Sequence, residues 1–287
     1  MGVDNLCQIV QFPEIDLVLS AIVGSAGLRP TISAILANKN IALANKESLV
    51  VAGELVMRLA KENNIDFLPV DSEHSAIFQC LVGEDFKSVD RLILTASGGP
   101  FLNRPKKQFN NISISDALKH PNWKMGNKIS IDSATLINKI FEIIEAQRIF
   151  NIDIKKFQIT IHPDSYVHSI IKFNNGLIKI LAHETDMKIP IFNSIYDSNL
   201  KKFDTKKINF ELINNLKFKK PEVSRYPCIN ILKYIKNKNS MFETVLVSAN
   251  DELVDLYLRK KIKFTKIYEY LIKILKKKKY FKLINKK

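Results

Sequence analysis

The 287-residue chain is poor in the residues that mark several protein classes. It has three cysteines, Cys7, Cys80 and Cys228, odd in number and widely scattered. That excludes a disulfide framework and a zinc cage and fits a reducing, cytoplasmic setting, or a plastid-type stroma if the protein is organellar. It has nine glycines and no G-x-G-x-x-G, so no dinucleotide-binding fingerprint is present. No apolar run reaches the roughly 18–20 residues that span a bilayer. The first residues, Met1-Gly2-Val3-Asp4-Asn5, lack the basic and apolar regions of a targeting segment. Leu6 stands where a myristoylation signal wants Ser or Thr. What remains, 46% hydrophobic and 25% charged, is an ordinary globular composition.

Acidic balance is also missing, but only locally. The net charge is +15, and residues 201–287 alone carry 24 Lys+Arg against 8 Asp+Glu. The preceding 200 residues are close to neutral. Basic patches bind phosphate backbones, but this one consists of Lys set among Ile and Asn, a trio that AT-rich codons favour. The apolar residues Leu253, Leu256, Ile267, Leu271 and Leu275 keep helical spacing through it. A solvated helical surface is therefore expected rather than a nucleic-acid arm, with helices over 231–235, 244–260 and 267–283 and fraying over Lys276–Lys279.

Apolar runs with strand and helix character alternate over the first seventy residues: strands at 15–23, 41–44 and 65–70, helices at 30–38 and 47–61. This is the pattern of parallel strands with crossover helices. Gly24-Ser25-Ala26-Gly27 fills one strand-to-helix turn. At the carboxyl end of the third strand, where open α/β sheets place ligands, stand Asp71-Ser72-Glu73 and then His74. If the backbone stays extended, Asp71 and Glu73 point the same way, and a hard divalent cation would join them. Alone, such a pair is as well read as a solvated acidic turn.

Further on, Ser97-Gly98-Gly99-Pro100 forms a compact turn with free backbone N–H groups, either an anion nest or an ordinary tight turn. A helix capped by Asp132 or Ser133 is expected to run to about Phe150. It would be buried on most sides, with Thr135, Asn138, Lys139 and Glu142 on one face. A Lys139–Glu142 ion pair or a bound ligand would account for charge at that depth. All five histidines (His74, His120, His162, His168, His183) and Trp123, the single tryptophan, fall between residues 74 and 183. Such clustering suggests a site that handles anions and protons.

Several segments resemble one family. They are Ala42-Leu43-Ala44-Asn45-Lys46-Glu47-Ser48-Leu49, Pro69-Val70-Asp71-Ser72-Glu73-His74, Ala96-Ser97-Gly98-Gly99-Pro100-Phe101 and His120-Pro121-Asn122-Trp123-Lys124-Met125-Gly126. Asp132-Ser133-Ala134-Thr135 with Asn138-Lys139, and Ile161-His162-Pro163 with His168-Ser169, extend the series. The family is 1-deoxy-D-xylulose 5-phosphate reductoisomerase of non-mevalonate isoprenoid biosynthesis, and the resemblance runs in order from about residue 15 to about 265.

The resemblance implies an α/β fold: a shortened Rossmann-like nucleotide-binding domain (1–65), an α+β catalytic and metal-binding domain (66–208), a connection (209–221) and a C-terminal helical domain (222–287). It implies NADPH and Mg²⁺ or Mn²⁺ as cofactors, a phosphorylated sugar as substrate, a homodimer and no membrane. Asp71, Glu73 and Glu142 would hold the metal. Lys46, Glu73 and His120 would be catalytic. Lys46, Ser72, Glu73, Ser97, His120, Ser133, Asn138, Lys139 and Glu142 would contact substrate, with Ser97, Ser133, Asn138 and Lys139 suited to its phosphate. Asn45, Glu47 and Gly126 would line the cofactor, and Trp123 with Met125 would form a lid.

Two departures stand out. Ile140-Phe141 replaces the family's Gly-Leu beside Glu142. The family's first strand and its Gly-Ser-Thr-Gly-Ser-Ile-Gly turn do not occur in the chain, so the expectation is an N-terminally truncated enzyme, weak in binding NADPH. A degenerate fragment or a non-enzymatic basic module are the rival readings.

Overall fold

The computed structural model describes residues 2–196, 201–238 and 240–277. After a short helix α1 (Val3–Ile9), strands β1 (Leu17–Ser20), β2 (Asn40–Leu43) and β3 (Phe67–Pro69) form a parallel sheet in that order. Helices α2 (Leu28–Leu36) and α3 (Lys46–Glu62) are its crossovers. The alternating pattern thus gives the expected parallel units, with β1 shorter than the apolar run that contains it. Ile35, Ile41, Leu43, Leu49 and Val56 close a core between this sheet and its helices. α3 bends at Ala52. At Gly53 it passes so close to Arg148 that a Cβ would come within 2.6 Å of its side chain.

Helix α4 (Ser72–Leu81) leads into β4 (Val89–Ala96). Helices α5 (Ile114–Ala117), α6 (Asn127–Thr135) and α7 (Ile137–Phe150) follow, then β5 (Phe157–Ile161), β6 (Val167–Phe173) and β7 (Ile178–Ala182). These strands make a mixed sheet ordered β5-β4-β6-β7, with β4 and β5 parallel and the other pairs antiparallel. Helices α8 (Lys188–Ile195) and α9 (Phe210–Asn214) precede a run of 3₁₀ turns over Pro227–Tyr234. Helices α10 (Met241–Leu258) and α11 (Phe264–Leu275) complete the described fold. Among the described residues no helix is long and apolar enough to cross a membrane.

α7 is the joint of the molecule. Twelve of its fourteen residues are buried, as its all-round apolar sequence requires. Ile140, Phe141 and Ile144 pack with the C-terminal helices through Leu246, Ile267 and Leu271. Ile143, Ala146 and Phe150 pack under the mixed sheet against Leu92 and Ile171.

Several expectations need correction. Residues 132–150 are not one helix: Leu136, at φ 60°, ends α6 and starts α7. Asp132 and Ser133 lie in the last turns of α6, so neither caps α7. Asp71–Glu73 is not extended either. Asp71 is the N-cap of α4, and its carboxylate accepts from the Glu73 backbone N–H at 3.2 Å, the ordinary role of Asp where a helix begins. The segment 209–221 holds helix α9, and Lys219 pairs with Ile161 beside β5. Residues 231–235 belong to the 3₁₀ run rather than to an α-helix. The helix expected over 267–283 spans Phe264–Leu275 with Lys276 as its C-cap, and the rest of the expected fraying over Lys276–Lys279 lies outside the described residues past Lys277.

Candidate active site

The carboxyl end of β3, the first turns of α3, α4 and α7 and the loop from β4 to α6 surround one cavity. Lys46, Asp71, Glu73, Ser97, His120 and Glu142 are among the residues that line it. Lys46, Asp71 and Glu73 enter from helix starts and Ser97 from a tight turn, whereas Glu142 comes from the second turn of α7 and His120 from the loop before α6. Helix starts and tight turns leave backbone groups free and hold the side chain by its own short segment.

On one wall, oxygens of Asp71, Glu73 and Glu142 lie within 4.8 Å of one another. The helical start of α4 makes this possible: Asp71 caps it and Glu73 sits in its first turn, while α7 delivers Glu142 from 69 residues away. Ser72 donates to Glu73 at 2.5 Å. Two ammonium groups balance the three acids. Lys46 Nζ stands 3.0 Å from Asp71, 2.9 Å from the Asn138 side-chain oxygen and 3.5 Å from Glu142. Lys139 Nζ is 2.7 Å from Glu73 and 2.5 Å from Glu142, and the Asn138 amide also donates to Glu142.

Electrostatics follow from burial. Removal from water opposes charge on Lys46 and Lys139, but the surrounding carboxylates outweigh it and hold both above the ordinary lysine value. Burial also opposes charge on Asp71 and Glu73. Lys46 and His74 reverse this for Asp71, and Lys139 reverses it for Glu73, so both stay below the usual range. Glu142 is the strained member: burial and then Glu73 push it up to about 7. Its Oε2 makes no hydrogen bond despite the nearby Lys139. Three hard oxygen donors with excess negative charge fit a divalent cation such as Mg²⁺ or Mn²⁺.

Ser97 and His120 add neutral polar groups to the lining. His120 Nδ1 accepts from the backbone N–H groups of Asn122 and Trp123 at 3.2 and 3.0 Å. The proton of the neutral ring therefore sits on Nε2, 3.0 Å from Ser97 Oγ. Burial and then Lys139 lower His120 to about 4. Ser97 Oγ accepts from Gly99 N–H at 3.0 Å. Gly98 and Gly99 have φ of 86° and 64°, which favours glycine, and a Cβ on Gly99 would meet the Ser133 carbonyl at 3.2 Å. Ser133 on α6 thus sits tight against this turn. Tyr226 fixes the turn from behind by donating to Gly98 O at 2.8 Å.

The residues expected to hold metal and substrate all line this cavity, whereas Asn45, Glu47 and Gly126, expected to line the cofactor, do not. Asn138 and Lys139, expected near a phosphate, sit among the carboxylates. Asn45 caps α3, accepting from Ser48 N–H at 2.8 Å, and its amide donates to Gly24 O at 2.8 Å. Glu47 is 3.1 Å from Lys128, and Gly126 is the N-cap of α6. Trp123, Lys124 and Met125 form one side of the cavity.

Sequence reasoning named His74 and His168 among the clustered histidines without giving either a role, and it passed over Lys128 and Glu145. His168, on the cavity wall, stacks on His183 at 3.7 Å between ring centroids, and burial and then His183 lower it to about 4. Lys128 gathers Glu47 from α3, Asp132 from α6 and Asp251 from α10 at 3.1, 2.9 and 3.2 Å. His74 and Glu145 lie beneath the acidic wall. The lone signal for Glu145 was a charge in an apolar helix, one turn after Glu142.

Comparison with known proteins agrees with this architecture. Residues 1–53 match 1-deoxy-D-xylulose 5-phosphate reductoisomerase, residues 67–150 its C-terminal domain, and residues 183–286 the DXP reductoisomerase C-terminal domain. The Pelagibacter ubique 1-deoxy-D-xylulose 5-phosphate reductoisomerase is 52% identical over 261 residues, 91% of this chain and 67% of its own length. The Clostridium kluyveri enzyme is 44% identical over 266 residues, 93% of this chain and 69% of its own. A crystal structure of DOX-P reductoisomerase with NADPH, fosmidomycin and magnesium superimposes with a TM-score of 0.89 at 37% identity, over 96% of this chain and 70% of that one. The Zymomonas mobilis enzyme with NADPH gives 0.86 at 37% identity, over 96% and 71%.

Fold and relatives together define an α/β enzyme of the oxidoreductase class. The chain belongs to the 1-deoxy-D-xylulose 5-phosphate reductoisomerase family.

Proposed function

We infer that this chain carries out the rearrangement and NADPH-dependent reduction of 1-deoxy-D-xylulose 5-phosphate to 2-C-methyl-D-erythritol 4-phosphate, with Mg²⁺ or Mn²⁺. The observation that carries this is the triad Asp71, Glu73 and Glu142, with Glu142 buried and the other two partly so, lining one cavity together with Ser97, His120 and Ser133. Related structures bound to NADPH, fosmidomycin and magnesium support it. Bound at the triad, the metal would polarise the ketone and hydroxyl oxygens of the substrate, and NADPH would supply the hydride.

The remaining roles belong to the chain. Lys46 stands between Asp71, Asn138 and Glu142 and can hold a substrate oxygen while those acids turn to the cation. Glu73, hydrogen-bonded by Ser72, can accept or return a hydroxyl proton. Neutral His120 offers its Nε2 proton beside Ser97. Lys139, released from Glu73 and Glu142 when a cation takes its place, can join Asn138, Ser97 and Ser133 around the phosphate. Trp123 and Met125 would cover the substrate and exclude water. Asn45, Glu47 and Gly126 would line the cofactor, with 1–65 as the nucleotide-binding, 66–208 as the catalytic and 222–287 as the helical domain.

A homodimer is supported by β7, the edge strand of the mixed sheet: Leu177, Ile178 and Ile180 expose 62%, 58% and 54% of their surface. Apolar edges of this kind suit pairing with a second copy. The three free cysteines fit a reducing compartment.

Calorimetry with fosmidomycin, with and without Mn²⁺, tests the site. Tight binding is expected with the metal alone among these two conditions, and Glu142→Gln should abolish it. Binding that ignores the metal, or survives that substitution, would overturn the reading.

A further inference from the structure

Glu145 takes no part in the roles above, yet its side chain is 1% exposed and its Oε2 makes no hydrogen bond. An unoccupied carboxylate at that depth is costly unless a cation faces it. The side chain that faces it is His74. The ring is fully buried, and its Nδ1 lies 3.5 Å from Glu145 Oε2 and 3.1 Å from Asp71 Oδ1, aligned with neither well enough for a hydrogen bond. Its Nε2 lies 2.8 Å from the backbone oxygen of Glu142. A carbonyl oxygen only accepts, so Nε2 carries a proton. Nδ1 faces oxygens of Asp71 and Glu145 at once.

The ring thus joins Asp71, the N-cap of α4, to the backbone of α7 at Glu142. Asp71 is held from two sides, Oδ1 by His74 and Oδ2 by Lys46. When a divalent cation replaces the lysine, the position of Asp71 depends on how strongly His74 draws it back. Glu145 shares that pull. We propose that Glu145 is a positioning residue: by competing with Asp71 for His74 Nδ1 it keeps Asp71 free to turn toward the cation and holds Asp71 and Glu142 at the separation the cation needs. Partners of this kind, one step behind a metal ligand, typically change metal affinity by 10–100-fold when altered. The proposal rests on the metal reading of the triad.

The test uses the full 287-residue chain and MnCl₂ as the probe, followed by calorimetry. The parent should bind one Mn²⁺ and Glu142→Gln should not; a parent that binds none removes the metal centre and the proposal with it. Glu145→Gln keeps the shape and removes the charge. It should weaken Mn²⁺ by about tenfold to a hundredfold, with the thermal midpoint and the affinity for inorganic phosphate unchanged, and Glu145→Asp should recover part of the loss. Parent-like Mn²⁺ affinity in Glu145→Gln, with the parent binding normally, would overturn the positioning role and leave the metal reading intact. A second measurement needs no variant. In ¹⁵N-labelled parent protein the His74 Nδ1 resonance should shift on adding Mg²⁺, in step with metal occupancy. A resonance that stays put at saturating Mg²⁺ would overturn the proposal even if Glu145→Gln fails to fold.

Discussion

Lys139 and Glu142, one turn apart on α7, hold ammonium and carboxylate 2.5 Å apart with side chains 6% and 1% exposed. Breaking such a pair from one side leaves an uncompensated buried charge, at a cost of about 3–5 kcal/mol. Lys139→Met should therefore destabilise the metal-free protein by about that much, because Glu73 loses the same partner. Saturating Mn²⁺ should restore a large part of the loss, since binding at a hundredfold excess over Kd stabilises by about 2.7 kcal/mol. Urea unfolding with and without MnCl₂ measures both. An equal loss in the two conditions would mean that no cation can stand in for Lys139.

Lys128 should couple three elements. Its pairing with Glu47, Asp132 and Asp251 joins α3, α6 and α10, and these carboxylates together hold it above the ordinary lysine value against the opposing effect of burial. In a double-mutant cycle, Lys128→Met and Glu47→Gln should be non-additive by about 0.5–3 kcal/mol, the range for residues in one ionic network. Additive effects on unfolding free energy would show that the contact carries no coupling.

Stability should fall on both sides of neutral pH, through different histidines. An unperturbed histidine titrates near 6.5. His120 and His168 are held down to about 4 by burial. Between pH 6.5 and 4 the unfolded chain therefore takes up protons that the folded chain refuses, and stability present above 6.5 is lost as the pH falls. His74 is held up to about 10 because Glu145 and Asp71 outweigh its burial. Its contribution is complete below 6.5 and disappears as the pH rises toward 10. Thermal midpoints from pH 4 to 10 should show that His168→Asn flattens the acid side and His74→Gln the alkaline side. Unchanged slopes would contradict these assignments.

The C-terminal helices should be part of the core. Leu271 on α11 is fully buried in the same cluster as Ile140 and Phe141 of α7. Leu271→Ala should cost about 2–5 kcal/mol, measured by chemical denaturation. A loss under 1 kcal/mol would detach α11 from the catalytic core and favour the basic-module reading.

Much of this was legible in the sequence, and the exceptions share a cause. Strands β2 and β3 and helix α3 follow from local periodicity, because each buries one face against its neighbours. The joining of Asp71, Glu73 and Glu142 was legible only through the family resemblance; the residues alone gave Asp71 and Glu73 as a possible cation pair and Glu142 as a possible partner of Lys139. The break at Leu136 was not. A leucine in the left-handed region has no local signal, and it is held there by α6 packing on the Gly98-Gly99 turn and α7 entering the core. The helical start at Asp71 was missed because an apolar strand precedes it and a polar pair reads equally well as extended. Pairings such as His74 with Glu145, or Lys128 with Asp251, link residues far apart in the chain and exist only once the helices have packed.

The triad as a cation site is the central claim, and anomalous scattering from crystals grown with Mn²⁺ tests it most directly. One peak should lie at coordination distance from oxygens of Asp71, Glu73 and Glu142 together, with Lys139 Nζ moved away from its 2.5 Å approach to Glu142. No peak at the triad under saturating Mn²⁺, with both lysines still paired to the acids, would contradict it.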